Sequence, residues 1–279
     1  MRDDLRSASD ARFPWTFVLL TYSWSWLWWI PIIRLPKQSE LGDLGVWGLL
    51  CLLVGAYGPS LMGLLCTARD QGPSEVRRQL RSLGSVHGAW WALALSLLVP
   101  WAMMALGLAF ARFAGAELGP ATWSRWSLLP IAVLAAIPFG PLAEEFGWRG
   151  HALPRLVQRW GGLGASVVVG LLWTAWHVPL FWAPAGSTIS GGPVNGWTVG
   201  AYALTLVAIS CLATWLLARA GHLMALAVAV HVGFNVDMPM MPFRSMGDAV
   251  SSEVAVWTGA AALLVIALLG PVLRGVRRL

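Results

Sequence analysis

Charged residues are scarce in this chain of 279 residues. Only 11% of the residues are Asp, Glu, Lys or Arg, whereas a soluble globular domain has about 25%. Hydrophobic residues make up 57% of the chain, and the mean hydropathy is +0.66. So little charge excludes an ordinary soluble enzyme. The composition indicates a protein that is solvated mainly by lipid.

The few cysteines and the basic residues form no organised pattern. Cys51, Cys66 and Cys211 lie in apolar segments at unrelated spacings, which excludes a disulfide framework and a cysteine metal motif. The net charge is +6, but the basic residues are scattered between apolar runs and form no stripe. We therefore expect no nucleic-acid partner.

Long apolar runs are the main feature that the sequence does have. A helix that crosses a bilayer needs about 20 mostly apolar residues. We find no internal repeat and no long linker, so we predict a single integral-membrane domain over 1–279 with a motif-bearing core at 127–238. The predicted fold is an all-α membrane protein, a polytopic bundle of eight transmembrane helices at 13–33, 44–67, 89–111, 127–147, 163–183, 198–218, 222–238 and 254–273.

The distribution of Lys and Arg predicts the orientation. With eight spans, fourteen basic residues fall on the side that holds both termini, and five fall on the other side. Because Lys and Arg accumulate in cytoplasmic loops, both termini are expected in the cytoplasm. We expect an integral multi-pass protein of the plasma membrane, with the lipid bilayer as its first partner.

Two segments are predicted as interfacial helices, which lie along the membrane surface. The segment 72–84 is amphipathic and carries several arginines that would face the headgroups. The segment 150–160 is expected to dip into the cytoplasmic leaflet with Leu153, Leu156 and Val157 in lipid.

Tryptophan is unusually frequent, with 19 residues. Four of these side chains cluster in the first span, and we interpret them as lipid-facing or interfacial rather than as a binding cage. They are Trp24, Trp26, Trp28 and Trp29.

The fourth predicted span carries two adjacent glutamates, Glu144 and Glu145, followed by Arg149. A charged side chain in hydrocarbon is costly, so such residues mark a functional site by default. On a helix, Glu145 and Arg149 are four residues apart and can meet, whereas Glu144 points about 100° away. Glu144 is therefore expected to be the free carboxylate of the pair.

The fifth and seventh spans carry further polar side chains. Trp173 and His177 share one helix face, and His231 and Asn235 share another. A lone His or Asn in a span is more often an interhelical hydrogen bonder than a catalyst. Here, however, a free carboxylate with a His can activate water, and a His with an Asn can stabilise an oxyanion. Three nearby polar residues are interpreted as bystanders: His151, His222 and Asp237.

Three motifs in order carry a resemblance to a known family. PLAEEFGWRG is similar to the EExxxR motif, WTAWH to FxxxH with Trp173 in place of Phe, and HVGFN to HxxxN. With these motifs the chain resembles the CAAX-prenyl endopeptidase and bacteriocin-processing (CPBP) family of intramembrane proteases, also called the ABI or type II CAAX protease family. The resemblance covers about 100 residues, from Pro138 to Asn235.

The resemblance implies an intramembrane endopeptidase acting near the cytoplasmic face on a membrane-anchored or C-terminally lipidated polypeptide. By this analogy, Glu144 and His177 would activate a water, and His231 and Asn235 would form the oxyanion hole. The orienting residues would be Glu145, Arg149 and Trp173.

Three alternatives remain open at this point. Glu144, His177 and His231 could form a His₂Glu zinc site, although we favour the glutamate mechanism with no cofactor, since the chain has no HExxH motif. A proteolytically inactive scaffold could bind a partner membrane protein with the same fold. A proton- or ion-coupled transporter is disfavoured because no inverted repeat of broken helices is visible.

Overall fold

The computed structural model describes residues 13–34, 44–86, 88–118, 124–183, 194–240 and 248–279. All regular structure in these ranges is helical, and they contain no strand. In chain order the helices are α1 (Trp15–Ile33), α2 (Gly45–Ala56), α3 (Gly58–Gln71), α4 (Pro73–Arg81), α5 (Trp90–Phe113), α6 (Leu129–Phe139), α7 (Pro141–Glu145), a π-helix (Phe146–Ala152), α8 (Leu153–His177), α9 (Gly196–Ala220), α10 (Met224–Met240) and α11 (Asp248–Leu273).

The predicted all-α membrane fold is confirmed, and the protein is an integral membrane protein. Within the described residues, six helical stretches are long and apolar enough to cross a membrane. The difference from the eight predicted spans has two causes. The fourth and fifth spans join in one helical stretch of 57 residues, Trp126–Trp182, and the seventh, Met224–Val236, is a shorter apolar helix.

Helix α9 is the centre of the bundle. In its most apolar window 72% of the residues are buried inside the protein, against 17–44% in the other five stretches. It packs against α8 on one side and α11 on another, while α5 packs against α10 and α11. The π-helix packs against α3. The polar segment that follows α7 is therefore enclosed by protein rather than by lipid.

The helical run breaks between α6 and α7, at the sequence Pro138–Phe139–Gly140–Pro141. A proline disfavours the α conformation in the residue before it, and Gly140, which precedes Pro141, has φ −159° and ψ −72°. Pro141 then begins α7, where its missing N–H and fixed φ suit the first turn of a helix. This local sequence therefore redirects the chain just before the two glutamates.

The segment 72–84 agrees with its prediction. It forms α4 (Pro73–Arg81) and a short 3₁₀ turn (Ser82–Gly84), and Arg77, Arg78 and Arg81 are exposed. One face of α4 returns to the protein, because the buried Gln79 donates from Nε2 to the Gly150 carbonyl at 3.0 Å. This amphipathic helix thus contacts the π-helix directly.

The prediction for the segment 150–160 is wrong in one respect. The segment is helical, but Leu153, Leu156 and Val157 are fully buried in the protein core and do not face lipid. An apolar face is compatible with both environments, and here α8 buries it against protein. The structure also shows a bend at Gly161, whose φ of 71° interrupts α8.

The tryptophan cluster of α1 is also only partly lipid-facing. Trp26 is exposed, but Trp29 is completely buried. Indole N–H groups of the cluster donate to helix carbonyls: Trp24 to Val54 at 2.9 Å, and Trp29 to Leu52 at 3.2 Å. Val54 lies in the last turn of α2, where carbonyl groups lack partners within their own helix.

Candidate active site

Glu145, Arg149 and His231 form a buried charged cluster. Arg149 Nη1 donates to Glu145 Oε1 at 2.8 Å, and both side chains are 1% exposed. His231 Nδ1 lies 2.7 Å from the same carboxylate oxygen. The i,i+4 ion pair predicted from the sequence is present, and α10 adds a second partner for Glu145.

Arg149 is held from two further directions. Its Nη2 donates to Ser210 Oγ of α9 at 3.1 Å, and its Cζ lies 4.3 Å from the centre of the Trp173 ring, which is a cation–π contact. A buried arginine needs several such partners to offset the loss of hydration. The guanidinium therefore links the π-helix to both α8 and α9.

Glu144 has a different set of neighbours from Glu145. It is 5% exposed, and its Oε2 accepts a hydrogen bond from Trp173 Nε1 at 2.5 Å. Trp173 also packs edge-on against His231, with ring centroids 4.9 Å apart. The two adjacent carboxylates therefore have separate hydrogen-bond partners, as their spacing predicted.

His177 lies one turn after Trp173 on α8. Its Nδ1 is 2.9 Å from the Trp173 carbonyl oxygen, and the two rings are 6.2 Å apart. In the part of the chain that the structure describes, Glu144 and His177 are connected through Trp173 and not by a direct hydrogen bond. The side of the imidazole that carries Nε2 remains for another partner.

His231 and Asn235 meet at the helix break. A Cβ placed on Gly140 would lie 2.5 Å from Asn235 Nδ2 and 3.4 Å from His231 Nε2. A glycine is therefore required at this position for the amide to come so close to the backbone. The polar ends of both α10 side chains thus converge on a point four residues before Glu144.

The structure brings the predicted site residues into one region. Direct contacts join Glu144, Glu145, Arg149, Trp173 and His231. His177 joins this group through Trp173 and Asn235 through Gly140. Of the three bystanders, His151 binds outside this group, to Thr67 Oγ1 at 3.0 Å, whereas His222 Nε2 lies 3.3 Å from the backbone carbonyl oxygen of Arg149. The side chain of Asp237 lies outside the described residues.

Two neighbours of the site were missed by sequence reasoning. Tyr202 packs edge-on against His177 with ring centroids 5.6 Å apart, and Ser210 binds Arg149. Both lie on α9, which has no motif. The sequence could have indicated them only as polar residues within an apolar span. Single Ser and Tyr residues are common in membrane spans, so this signal does not single out a site.

The arrangement of the polar side chains bears on the zinc alternative. Within the described ranges, no three His, Cys, Asp or Glu side chains are grouped closely enough to hold a metal ion. Trp173 occupies one oxygen of Glu144, and Glu145 occupies Nδ1 of His231. We therefore derive no step through a metal ion.

The fold and these contacts define a class: a polytopic helical membrane protein with a buried Glu–Trp and Glu–Arg–His cluster at a helix break. Residues 125–236 match the family described as type II CAAX prenyl endopeptidase Rce1-like. The matched residues include all three motifs, and the resemblance that these motifs carry is confirmed.

A curated relative supports the same assignment. CAAX prenyl protease 2 of Methanococcus maripaludis is 23% identical over 134 residues, which cover 48% of this chain and 49% of the relative. The match thus spans about half the length of each protein. The residues that match the family, 125–236, include the helix break at Gly140.

Proposed function

We propose that this protein is an intramembrane endopeptidase that hydrolyses a peptide bond of a membrane-associated or C-terminally lipidated polypeptide. The family match over residues 125–236 and the relative described as a CAAX prenyl protease support a protease of this kind. The excess of arginine on one side supports a reaction near the cytoplasmic face, with both termini in the cytoplasm.

The observation that carries the proposal is the separation of the two glutamates. Glu145 contacts Arg149 and His231. Among the residues that the structure describes, Glu144 accepts one hydrogen bond, from the neutral indole of Trp173. A carboxylate that already neutralises a cation is a poor base. Glu144 is therefore the better candidate to take a proton from water.

The proposed reaction is general-base hydrolysis. Glu144, together with His177, orients a water and accepts its proton while the water oxygen attacks the carbonyl carbon of the substrate. The tetrahedral intermediate then collapses, the C–N bond breaks, and the proton passes from Glu144 to the leaving amine. Each proton is returned within the cycle, so no further reactant is needed.

The proposed oxyanion hole consists of His231 and Asn235. His231 Nε2 and Asn235 Nδ2 both face Gly140. The imidazolium form of His231 donates from both ring nitrogens, so it can bind Glu145 through Nδ1 and, with Asn235, donate to one substrate oxygen through Nε2. Two donors placed where negative charge develops lower the barrier without reorganising during the reaction. The contact between Glu145 and His231 Nδ1 supports a positioning role for Glu145, while Arg149 and Trp173 would hold these groups in place.

A cleavage assay of the purified protein in lipid tests the assignment of Glu144. The substrate would be a membrane-anchored reporter polypeptide, with Glu117→Ala as the matched control because Glu117 is an exposed carboxylate outside the site. We expect Glu144→Ala to lose at least about 100-fold in turnover, the usual contribution of a general base, and Glu117→Ala to cleave normally.

Three other outcomes would overturn parts of the proposal. Normal cleavage by Glu144→Ala would remove its role as base. Loss of activity on strong chelation, restored by Zn²⁺, would favour the zinc version with Glu144, His177 and His231 as ligands. If the parent protein cleaves no reporter but binds a partner membrane protein, the result would favour the proteolytically inactive scaffold.

A further inference from the structure

Two consecutive carbonyls of the π-helix contact side chains from other parts of the chain. His222 Nε2, in the turn between α9 and α10, lies 3.3 Å from the Arg149 carbonyl oxygen. Gln79 Nε2 of α4 donates to the Gly150 carbonyl at 3.0 Å. The main chain at these two positions is therefore held by groups outside its own helix.

The local sequence explains why the two carbonyls take partners from elsewhere. In an α-helix the carbonyl of Gly150 would accept from the amide of residue 154, and in a π-helix the carbonyl of Arg149 would accept from that same amide. Residue 154 is proline, which has no N–H. A buried carbonyl without a partner is costly. The side chains of His222 and Gln79 thus replace a donor that Pro154 lacks.

His222 has an unusual backbone conformation. Its φ is 57°, and it is the one non-glycine residue with a positive φ in the part of the chain that the structure describes. Residues in such sparsely populated conformations cluster at functional sites, where the surrounding structure offsets the strain. His222 is also only 6% exposed. Its Nε2 carries the proton in this contact, because a carbonyl oxygen only accepts.

Arg149 connects these backbone contacts with the candidate active site. Its guanidinium binds Glu145 at 2.8 Å, and the same carboxylate oxygen lies 2.7 Å from His231 Nδ1. A shift of the main chain at Arg149 would draw the guanidinium away from Glu145. The carboxylate would then lose one of the two partners that fix its position beside His231.

We propose that His222 and Gln79 are positioning residues for the reaction. Their side chains fix the main chain of the π-helix, so the Arg149 guanidinium stays against Glu145. Glu145 in turn keeps His231 in place. The inference rests on the proposed function, because His231 belongs to the proposed oxyanion hole.

The test compares two changes at His222 in the purified full chain in lipid, with the membrane-anchored reporter as substrate. His222→Phe keeps a ring and removes the N–H, whereas His222→Gln retains an N–H that can donate to the same carbonyl. We expect His222→Phe to lower kcat about tenfold and to change KM by less than about twofold, since misplacement of a catalytic group mainly slows turnover. His222→Gln should restore kcat to within about threefold of the parent value.

A second measurement does not depend on cleavage. Backbone hydrogen exchange in peptides that cover residues 146–153 reports local opening of the π-helix. We expect this exchange to be at least about tenfold faster in His222→Phe than in the parent protein, and His222→Gln to exchange like the parent. Gln79→Met removes the donor to the Gly150 carbonyl and should cause the same two changes. It takes the place of His222→Phe if thermal unfolding shows that this variant does not fold.

The matched control is Thr258→Val in α11, which packs against α5 and α9. Thr258 is 5% exposed, and its hydroxyl donates to the Val254 carbonyl at 2.7 Å. The change therefore removes a buried hydrogen bond from a side chain to a carbonyl, but in a different helix. It should leave both kcat and the exchange of residues 146–153 unchanged.

Three results would overturn the inference. His222→Phe could cleave and exchange like the parent protein, which would show that the contact does not hold the site. A loss of kcat that His222→Gln does not restore, with unchanged exchange, would assign His222 a different role. An equal loss in Thr258→Val would show a general effect of removing a buried hydrogen bond.

Failure of the proposed function is recognised separately. A folded parent protein that cleaves no reporter would overturn the proposed function. Hydrogen exchange in the same samples would still decide whether His222 and Gln79 hold the π-helix.

Discussion

The protein uses the same ion pair, arginine with a carboxylate, in two very different surroundings. Glu145 and Arg149 meet at 2.8 Å in the core with 1% of each side chain exposed. Glu75 and Arg78 meet at 2.6 Å on α4, where the arginine side chain is 52% exposed. The distances are alike, but the energetic consequences are not.

The difference lies in hydration. When one partner of an exposed pair is removed, water solvates the other, so the pair contributes about 0–1 kcal/mol. When one partner of a buried pair is removed, an uncompensated charge remains inside the protein at a cost of about 3–5 kcal/mol. The buried pair thus holds His231 and the π-helix in fixed positions, while the surface pair only supports a helix.

The largest expected effect comes from breaking the buried pair. Arg149→Met leaves the Glu145 carboxylate buried without its arginine, and it also removes the contacts with Ser210 and Trp173. We therefore expect the unfolding free energy to fall by about 3–5 kcal/mol. Arg78→Met, the matched change on α4, should cost less than about 1 kcal/mol. Unfolding by a denaturing detergent measures both. Equal losses would contradict the contrast between core and surface.

A smaller effect is expected from closing the space at the helix break. In Gly140→Ala the new Cβ would lie 2.5 Å from Asn235 Nδ2, and the amide must move aside. Misplacement of a catalytic group by about 1 Å can cost about 100-fold in turnover. We expect Gly140→Ala to fold and to show a turnover that is about 100-fold lower than that of the parent protein.

Gly200→Ala is the control for this change, because a Cβ there meets nothing within 4 Å. It should cleave like the parent protein. If Gly140→Ala and Asn235→Ala both retain full activity, the assignment of Asn235 to the oxyanion hole is wrong.

The smallest effect concerns the pH dependence of the surface pair. The hydrogen bond from Arg78 lowers the pKa of Glu75 from its ordinary value of 4.5. Because the folded pKa is the lower one, the stabilisation is present above the unfolded pKa and is lost as pH falls through the folded pKa. Glu75→Gln should therefore destabilise by less than about 1 kcal/mol near neutral pH.

Thermal unfolding measured between about pH 7 and about pH 3 checks the sign. The difference between the parent and Glu75→Gln should shrink toward the acidic end. In an Arg78→Met background the difference should be small throughout, since the partner is missing. A difference that grows as pH falls would contradict this assignment.

Local spacing predicted the helical architecture and part of the candidate site. The pairing of Glu145 with Arg149 followed from their four-residue separation, and the freedom of Glu144 followed from the angle between adjacent side chains. The contact of His231 with Glu145 spans 86 residues of sequence. Such contacts depend on how helices pack, which helix periodicity does not encode.

The wrong predictions about lipid-facing residues have a physical origin. Leu153, Leu156 and Val157 have an apolar face that would suit lipid or protein equally, and only the packing of α8 decides between them. The length criterion of about 20 residues per span predicted the fourth and fifth spans as two separate helices. In the structure the two spans belong to one helical stretch, which breaks at Gly140 and bends at Gly161. A length criterion alone does not predict such a break or bend.

The central claim is that two adjacent glutamates have different tasks, and one paired measurement tests it most directly. Glu144→Gln and Glu145→Gln would be compared for turnover and for unfolding free energy in the same lipid. We predict that Glu144→Gln remains as stable as the parent and loses at least about 100-fold in turnover, while Glu145→Gln loses several kcal/mol of stability. The reverse pattern, with Glu145→Gln stable but inactive and Glu144→Gln active, would contradict the account.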